Sequence, residues 1–219
     1  NNAIEIYNPT NSSIDLSNYI IKRYSNGSTI FTDSFQLSGL LFPGQVLVVG
    51  NGQTDSTQFI WSGVLRWSTP VDSFFLSFCD TNCIGIYPTP FYFNGDDAIT
   101  IETNSGSIVD IFGKIGEDPG LGWTDDINAW FTDSSGARVW TKNKTLIRNG
   151  NVKSGVKQNP LFFNPSLEYD SFPVFYSNLG IHTCNCFQYP LQTGCTDENA
   201  INYDSTALLD DSSCYYQIG

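Results

Sequence analysis

The chain has 219 residues, 40% of them hydrophobic and 15% aromatic, which is enough to bury a core and excludes wholesale disorder. Ten Lys and Arg stand against 22 Asp and Glu; a net charge of −12 argues against sequence-independent nucleic-acid binding by the whole surface, because phosphate contacts need cations. No apolar run reaches the roughly 20 residues that span a bilayer, and a start at Asn1-Asn2 with no Met is expected of a processed or excised piece.

In chain order, residues 3–7 alternate apolar and polar and predict a strand that breaks at Asn8-Pro9. A second strand is predicted at 19–24, then an Asn26-Gly27 turn and a return strand at 29–31. Pro43-Gly44 precedes residues 45–49, a continuous apolar run suited to a central strand. Residues 98–102 and 107–112 flank Asn104-Ser105-Gly106 and read as a hairpin. Later strands are predicted at 138–141 and 145–148, and residues 125–131 allow one short helical turn. Short strands punctuated by Gly, Pro and Asn predict an all-β, antiparallel sandwich.

Between 53 and 93 the pattern loosens and becomes rich in Trp, Phe and Ser, as in an inserted loop or hairpin excursion. Trp61, Trp67, Phe74, Phe75 and Phe78 are expected to cover an open edge of the sandwich, since aromatic residues mostly supply core area. The competing expectation is an exposed aromatic patch for a protein or carbohydrate partner, and exposure of Trp61 and Trp67 separates the two.

Six cysteines in an acidic, turn-rich chain point to an oxidising compartment and a secreted protein. Cys79 and Cys83 form the simplest local pair and would pin the excursion. Cys184 and Cys186 sit too close to bridge each other without strain, so each is expected to reach Cys195 or Cys214; among 15 connectivities the sequence does not choose. Zinc on His182, Cys184, Cys186 and Cys195 is the weaker alternative, at tight spacing and with the chain's only His.

The opening residues 1–10, the Leu16-Ser17-Asn18-Tyr19 step, Leu41-Phe42-Pro43-Gly44 and above all Gly95-Asp96-Asp97-Ala98 resemble bacterial lamin tail domains, with order and spacing kept to about residue 183. The departures are the Trp- and Cys-bearing insertion and Glu168-Tyr169, where the family usually has Glu-Trp. The resemblance implies an immunoglobulin-like β-sandwich over 1–183. It also implies a non-catalytic module, of the kind found in nuclear lamins and in bacterial secreted proteins beside nucleases, phosphatases or adhesive repeats. The tail, 184–219, forms a small Cys/Asp-rich, disulfide-rich C-terminal segment. Within it Gly194-Cys195-Thr196-Asp197 to Asp210-Asp211-Ser212-Ser213-Cys214 is similar to a short repeat of large bacterial surface proteins, with Ser212 where Gly is usual.

No catalytic constellation emerges. A triad would have to use His182, no Gly-rich phosphate loop is present, and the adjacent carboxylates Asp96-Asp97, Asp125-Asp126 and Asp210-Asp211 do not make a glycosidase pair by adjacency. Calcium is the one cofactor expectation: Asp197, Asn199, Asn202, Asp204, Asp210 and Asp211 supply the hard oxygen ligands it takes, although such residues also cap turns. Arg138, Lys142, Lys144 and Arg148 lie in a stretch without acids and form a candidate anion patch, Lys142 and Lys144 facing one side of a strand. The expectation is therefore an extracellular binding or adhesion module with a protein or glycan partner at the cell surface. The alternatives are a subunit of an extracellular fibre built from copies of itself, or the accessory domain of a secreted nuclease.

Overall fold

The computed structural model describes residues 2–84, 90–125, 139–174, 178–186, 192–207 and 209–217, the side chain of Trp61 excepted. The first strands in chain order are β1 (Ala3–Tyr7), β2 (Ile14–Asp15), β3 (Tyr19–Tyr24), β4 (Asp33–Gln36), β5 (Leu40–Leu41) and β6 (Val46–Asn51). The inserted region adds β7 (Gln58–Trp61), β8 (Val64–Trp67), a single helical turn α1 (Ser73–Leu76) and β9 (Thr81–Cys83). Then come β10 (Ala98–Thr103), β11 (Ile108–Phe112), β12 (Lys144–Arg148) and β13 (Tyr169–Pro173), with two short tail strands, β14 (Thr193–Gly194) and β15 (Leu209–Asp210).

Two sheets, β1-β6-β9 and β11-β10-β3-β4, enclose the core. The period-two alternation decides what enters it: Ile4, Ile6, Leu47 and Val49 come from the first sheet, and Tyr19, Ile21, Phe35, Ile99 and Ile101 from the second. Leu16, Leu37, Leu41 and Phe91 close the ends. Each such side chain contributes about 1.5–3 kcal/mol by leaving water, so this seam dominates stability. The result is an immunoglobulin-like all-β sandwich. Pairing is antiparallel except at β6–β9 and in the tail at β14–β15.

The return strand expected at 29–31 starts later, at Asp33. Asn26 (φ 47°) and Gly27 (φ 72°) make the left-handed turn, closed by Ser28 N donating to Ser25 O (3.0 Å). The Ser28 hydroxyl then holds Ile30 through both its N–H and its C=O, so the chain turns again before Thr32 N reaches Arg23 O (2.8 Å). Residues 126–138, with Arg138 and most of the expected helical turn, lie outside the described residues.

The cysteines pair differently from expectation. Cys184 is joined to Cys186, and Cys195 to Cys214. Asn185 explains the first: its N–H donates to Gly150 O (2.7 Å) and its amide to Asn151 Oδ1 (2.8 Å), which holds this stretch on the turn after β12 and away from a bridge to the tail. Cys195 and Cys214 are brought to a Cα separation of 4.8 Å across the β14–β15 unit. Cys79 and Cys83 are not bridged to each other. The register of β9 on β6 draws Cys83 into the core, whereas Cys79 follows α1 and its Sγ fills the space a side chain at Gly50 would need.

Candidate functional site

The strongest sequence motif proves to be a buried fastening. Gly95 (φ 110°) has no room for a side chain, because a Cβ would lie 2.8 Å from the Lys142 Cα and the Thr141 carbonyl. Asp97 accepts from Arg23 Nη1 (3.2 Å) and from Asn26 N (3.2 Å), so it ties the start of β10 to β3 and the turn after it. Arg23 also grips Asp33 of β4 at 2.5 Å. All four residues, Arg23, Asp96, Asp97 and the Asp33 carboxylate, are shielded from water. Burial, reinforced by the Asp97 charge, pushes the Asp96 pKa up to about 6, and its Oδ1 has no hydrogen-bond partner among the described residues. This cluster ties β3, β4 and the start of β10 together.

The anion patch does not assemble. Arg148 is committed to Asp110 and Glu168 and lies over the Tyr169 ring. Burial opposes its charge, but the hydrogen bonds to Asp110 and the surrounding negative charge raise its pKa nonetheless. Lys142 sits in the turn before β12 and not on the strand, so it does not share a strand face with Lys144, which opens β12 exposed. Arg138 is outside the described residues. Long-range acids, invisible to a local count, thus use up the patch's central cation.

In the tail the six calcium candidates are spread over turns. Asp197 accepts from the Asn199 backbone and side chain and from Tyr216 OH (2.6 Å), bonds that hold its pKa below the usual range. Asp204 caps Thr206, Asp210 accepts from Ser212 N, and Asp211 from Ser213 N. Asn202 bonds Ser213 O and Tyr215 N. Among the described residues no three His, Cys, Asp or Glu side chains converge as a metal ion requires. His182 stacks on Tyr7 at 4.8 Å, and burial followed by the Arg148 charge lowers its pKa. The zinc alternative fails because Cys184, Cys186 and Cys195 are in disulfides.

The inserted region supplies the remaining feature. Ser62 (φ 50°) and Gly63 (φ 75°) form a two-residue left-handed turn that joins β7 and β8 into a two-stranded sheet of their own. Its base is fixed by buried Gln53, which bonds Asp55 O, Thr57 Oγ1 and Ser68 Oγ, while Val71 N returns to Gln53 O (2.9 Å). The register pairs Gln58 with Trp67 and Ile60 with Leu65, so these four share one face. Ile60 is 74% exposed, Leu65 58% and Trp67 62%. The expectation that these aromatics cover the sandwich is overturned for Trp67, and Phe74 in α1 and Phe78 just after it, packed edge to face, are exposed as well.

The family model of the lamin tail domain matches residues 1–116, which covers β1 to β11 and the Gly-Asp-Asp-Ala fastening. The chain belongs to the lamin tail domain family. No curated protein and no solved structure matches it significantly. Lamin tail domains are immunoglobulin-like and generally non-enzymatic, and here Asp97 of the Gly-Asp-Asp-Ala motif is spent on an internal ion pair and a backbone hydrogen bond. Within the matched lamin tail region, the β7–β8 hairpin forms a sheet separate from the two that enclose the core. The sequence reading allows an inserted loop or hairpin excursion here without placing its strands, and Ser62-Gly63 between two apolar runs is a usable signal for the turn.

Proposed function

We propose that this chain is a non-catalytic binding or adhesion module of a larger secreted or surface-anchored protein, of the bacterial type, and that the β7–β8 hairpin is its contact element. The observation that carries the reading is the exposed face of Ile60, Leu65 and Trp67 on a hairpin anchored through a buried polar base. An exposed apolar face costs solubility unless a partner covers it. Two disulfides fit an oxidising compartment, and no helix among the described residues is long and apolar enough to cross a membrane. The tail's likeness to a surface-protein repeat supports the same setting. The test is a triple variant, Ile60→Ser, Leu65→Ser and Trp67→Ser, against wild type on arrays of extracellular-matrix proteins and glycans. We expect unchanged circular dichroism and loss of wild-type binding; equal binding by the variant overturns the assignment.

A fibre subunit is the second reading, favoured by the edge position of β1. Asn51 N donates to Asn2 O and Asn8 N to Gln45 O, so Ala3, Glu5 and Tyr7 turn their N–H and C=O groups away from β6, toward the sheet's rim. Ordered polymers under electron microscopy would favour it, and a monodisperse monomer the first reading.

A further inference from the structure

We propose that a groove at the far edge of β6 receives an extended peptide segment carrying a basic side chain. The same hydrogen-bond alternation that turns residues 45, 47, 49 and 51 toward β1 turns Val46, Val48 and Gly50 the other way. On that side β9 pairs in parallel with Val49, Gly50 and Asn51 and ends at Thr81. Asp80 takes the next rung: its N–H donates to Val48 O (2.9 Å) and its carboxylate accepts from Val48 N (2.8 Å). The following rung, at Val46, opens on a groove of about 530 Å³ lined by Leu40, Leu41, Val46, Asp80, Ile181 and His182 among others. A strand added there would continue the line of β9, exchanging two backbone hydrogen bonds with Val46.

The chemistry of the walls selects the occupant. Leu40 and Ile181 are exposed apolar side chains, suited to the apolar residues of an extended segment. Asp80 is exposed at one end, and Glu5, opposite Val48 in the register, lies on the same outer face of the sheet. Burial, and the Asp80 charge in addition, raise the Glu5 pKa, so the two acids share one negative field. Among the described residues no Lys or Arg lines the groove, and burial lowers the His182 pKa, leaving it neutral at pH 7. Because Asp80 fills the rung at Val48, the added residue that faces Val46 sits one rung short of it, about 7 Å along the strand line, and a Lys or Arg side chain there reaches back to Asp80 and completes the charge.

The probe is acetyl-Val-Lys-Val-Lys-Val-amide, titrated into the isotope-labelled full chain. We expect saturable shifts at Val46 and Asp80. Backbone N-methylation of both lysines should weaken binding at least about tenfold by removing the donor to Val46 O from the residue that faces it. Asp80→Asn, whose amide oxygen still accepts Val48 N–H, should weaken it about threefold to fivefold. The triple hairpin variant should bind the probe like wild type, since the groove shares no residue with the hairpin; this separates failure here from failure of the adhesion reading. Equal affinity for the Glu counterpart, insensitivity to N-methylation, or absence of shifts at Val46 overturns the proposal.

Discussion

Acidic residues do opposite work in the sandwich and in the tail. In the sandwich Asp33 and Asp97 are buried and answered by one arginine, Arg23, which links three strands. In the tail Asp197, Asp204, Asp210 and Asp211 stay at the surface and cap the turns of their own neighbourhood. The first arrangement couples distant parts of the chain and depends on an exact charge balance; the second shapes a short loop that a disulfide must hold. Charge that looks alike in composition therefore has different consequences for stability.

The largest effect should come from unbalancing the sandwich. Arg23→Met leaves two shielded carboxylates without their cation, and we expect a loss of about 3–5 kcal/mol in denaturant unfolding. A loss under about 1 kcal/mol would show that the arginine is not the link between the strands. Part of the loss should return in acid, where carboxylates take up protons.

The tail depends on its bridge instead. Cys195 and Cys214 are 19 residues apart, and closing such a loop contributes about 3 kcal/mol. Replacing both by Ser should abolish amide protection in 193–216 while the main unfolding transition of the sandwich stays in place. A shared shift of both would mean that tail and sandwich unfold as one unit.

Asp96 separates the regions by pH. Its ordinary value is 3.8 and its folded value about 6, so the native state holds the proton more tightly than the unfolded chain. Stability from this group is therefore highest below pH 4, falls as pH rises from 4 to 6, and is fully lost above that. Asp96→Asn should add about 1–3 kcal/mol at pH 7 and flatten the pH 4–6 slope. If the slope survives in the variant, another group causes it. Asp197 and Asp204 in the tail should not show this behaviour, since hydrogen bonds lower their values.

The sandwich was the more legible half, for a physical reason. Alternation at 3–7 and the turn-bounded apolar stretches expected at 19–24, 98–102 and 107–112 locate these strands, which form within a residue of expectation. What failed were features set by distant partners. Arg148 reads as part of a cationic patch until Asp110 and Glu168, 38 and 20 residues away, claim it. Cys79 and Cys83 look like a pair until β9 extends between them and takes Cys83 inward. The β7–β8 hairpin has no polar face to alternate with, so periodicity leaves its strands unplaced within the expected loop or hairpin excursion, and its turn residues are the usable local signal.

The smallest effect tests the tail's local geometry. Ser212 adopts φ 62°, the left-handed conformation in which a Cβ crowds the following carbonyl, and it stands where the resembled repeat has Gly. Relieving that crowding gains about 1–2 kcal/mol, while the freer unfolded glycine costs about 0.5–1 kcal/mol. Ser212→Gly should thus strengthen the tail by about 0.5–1 kcal/mol, read as slower hydrogen exchange at Ser213 and Tyr215. Ser205, which is not among the residues with positive φ, provides the control: Ser205→Gly offers no strain to relieve and should speed exchange. If both variants shift exchange in the same direction, backbone strain at Ser212 is not what limits the tail.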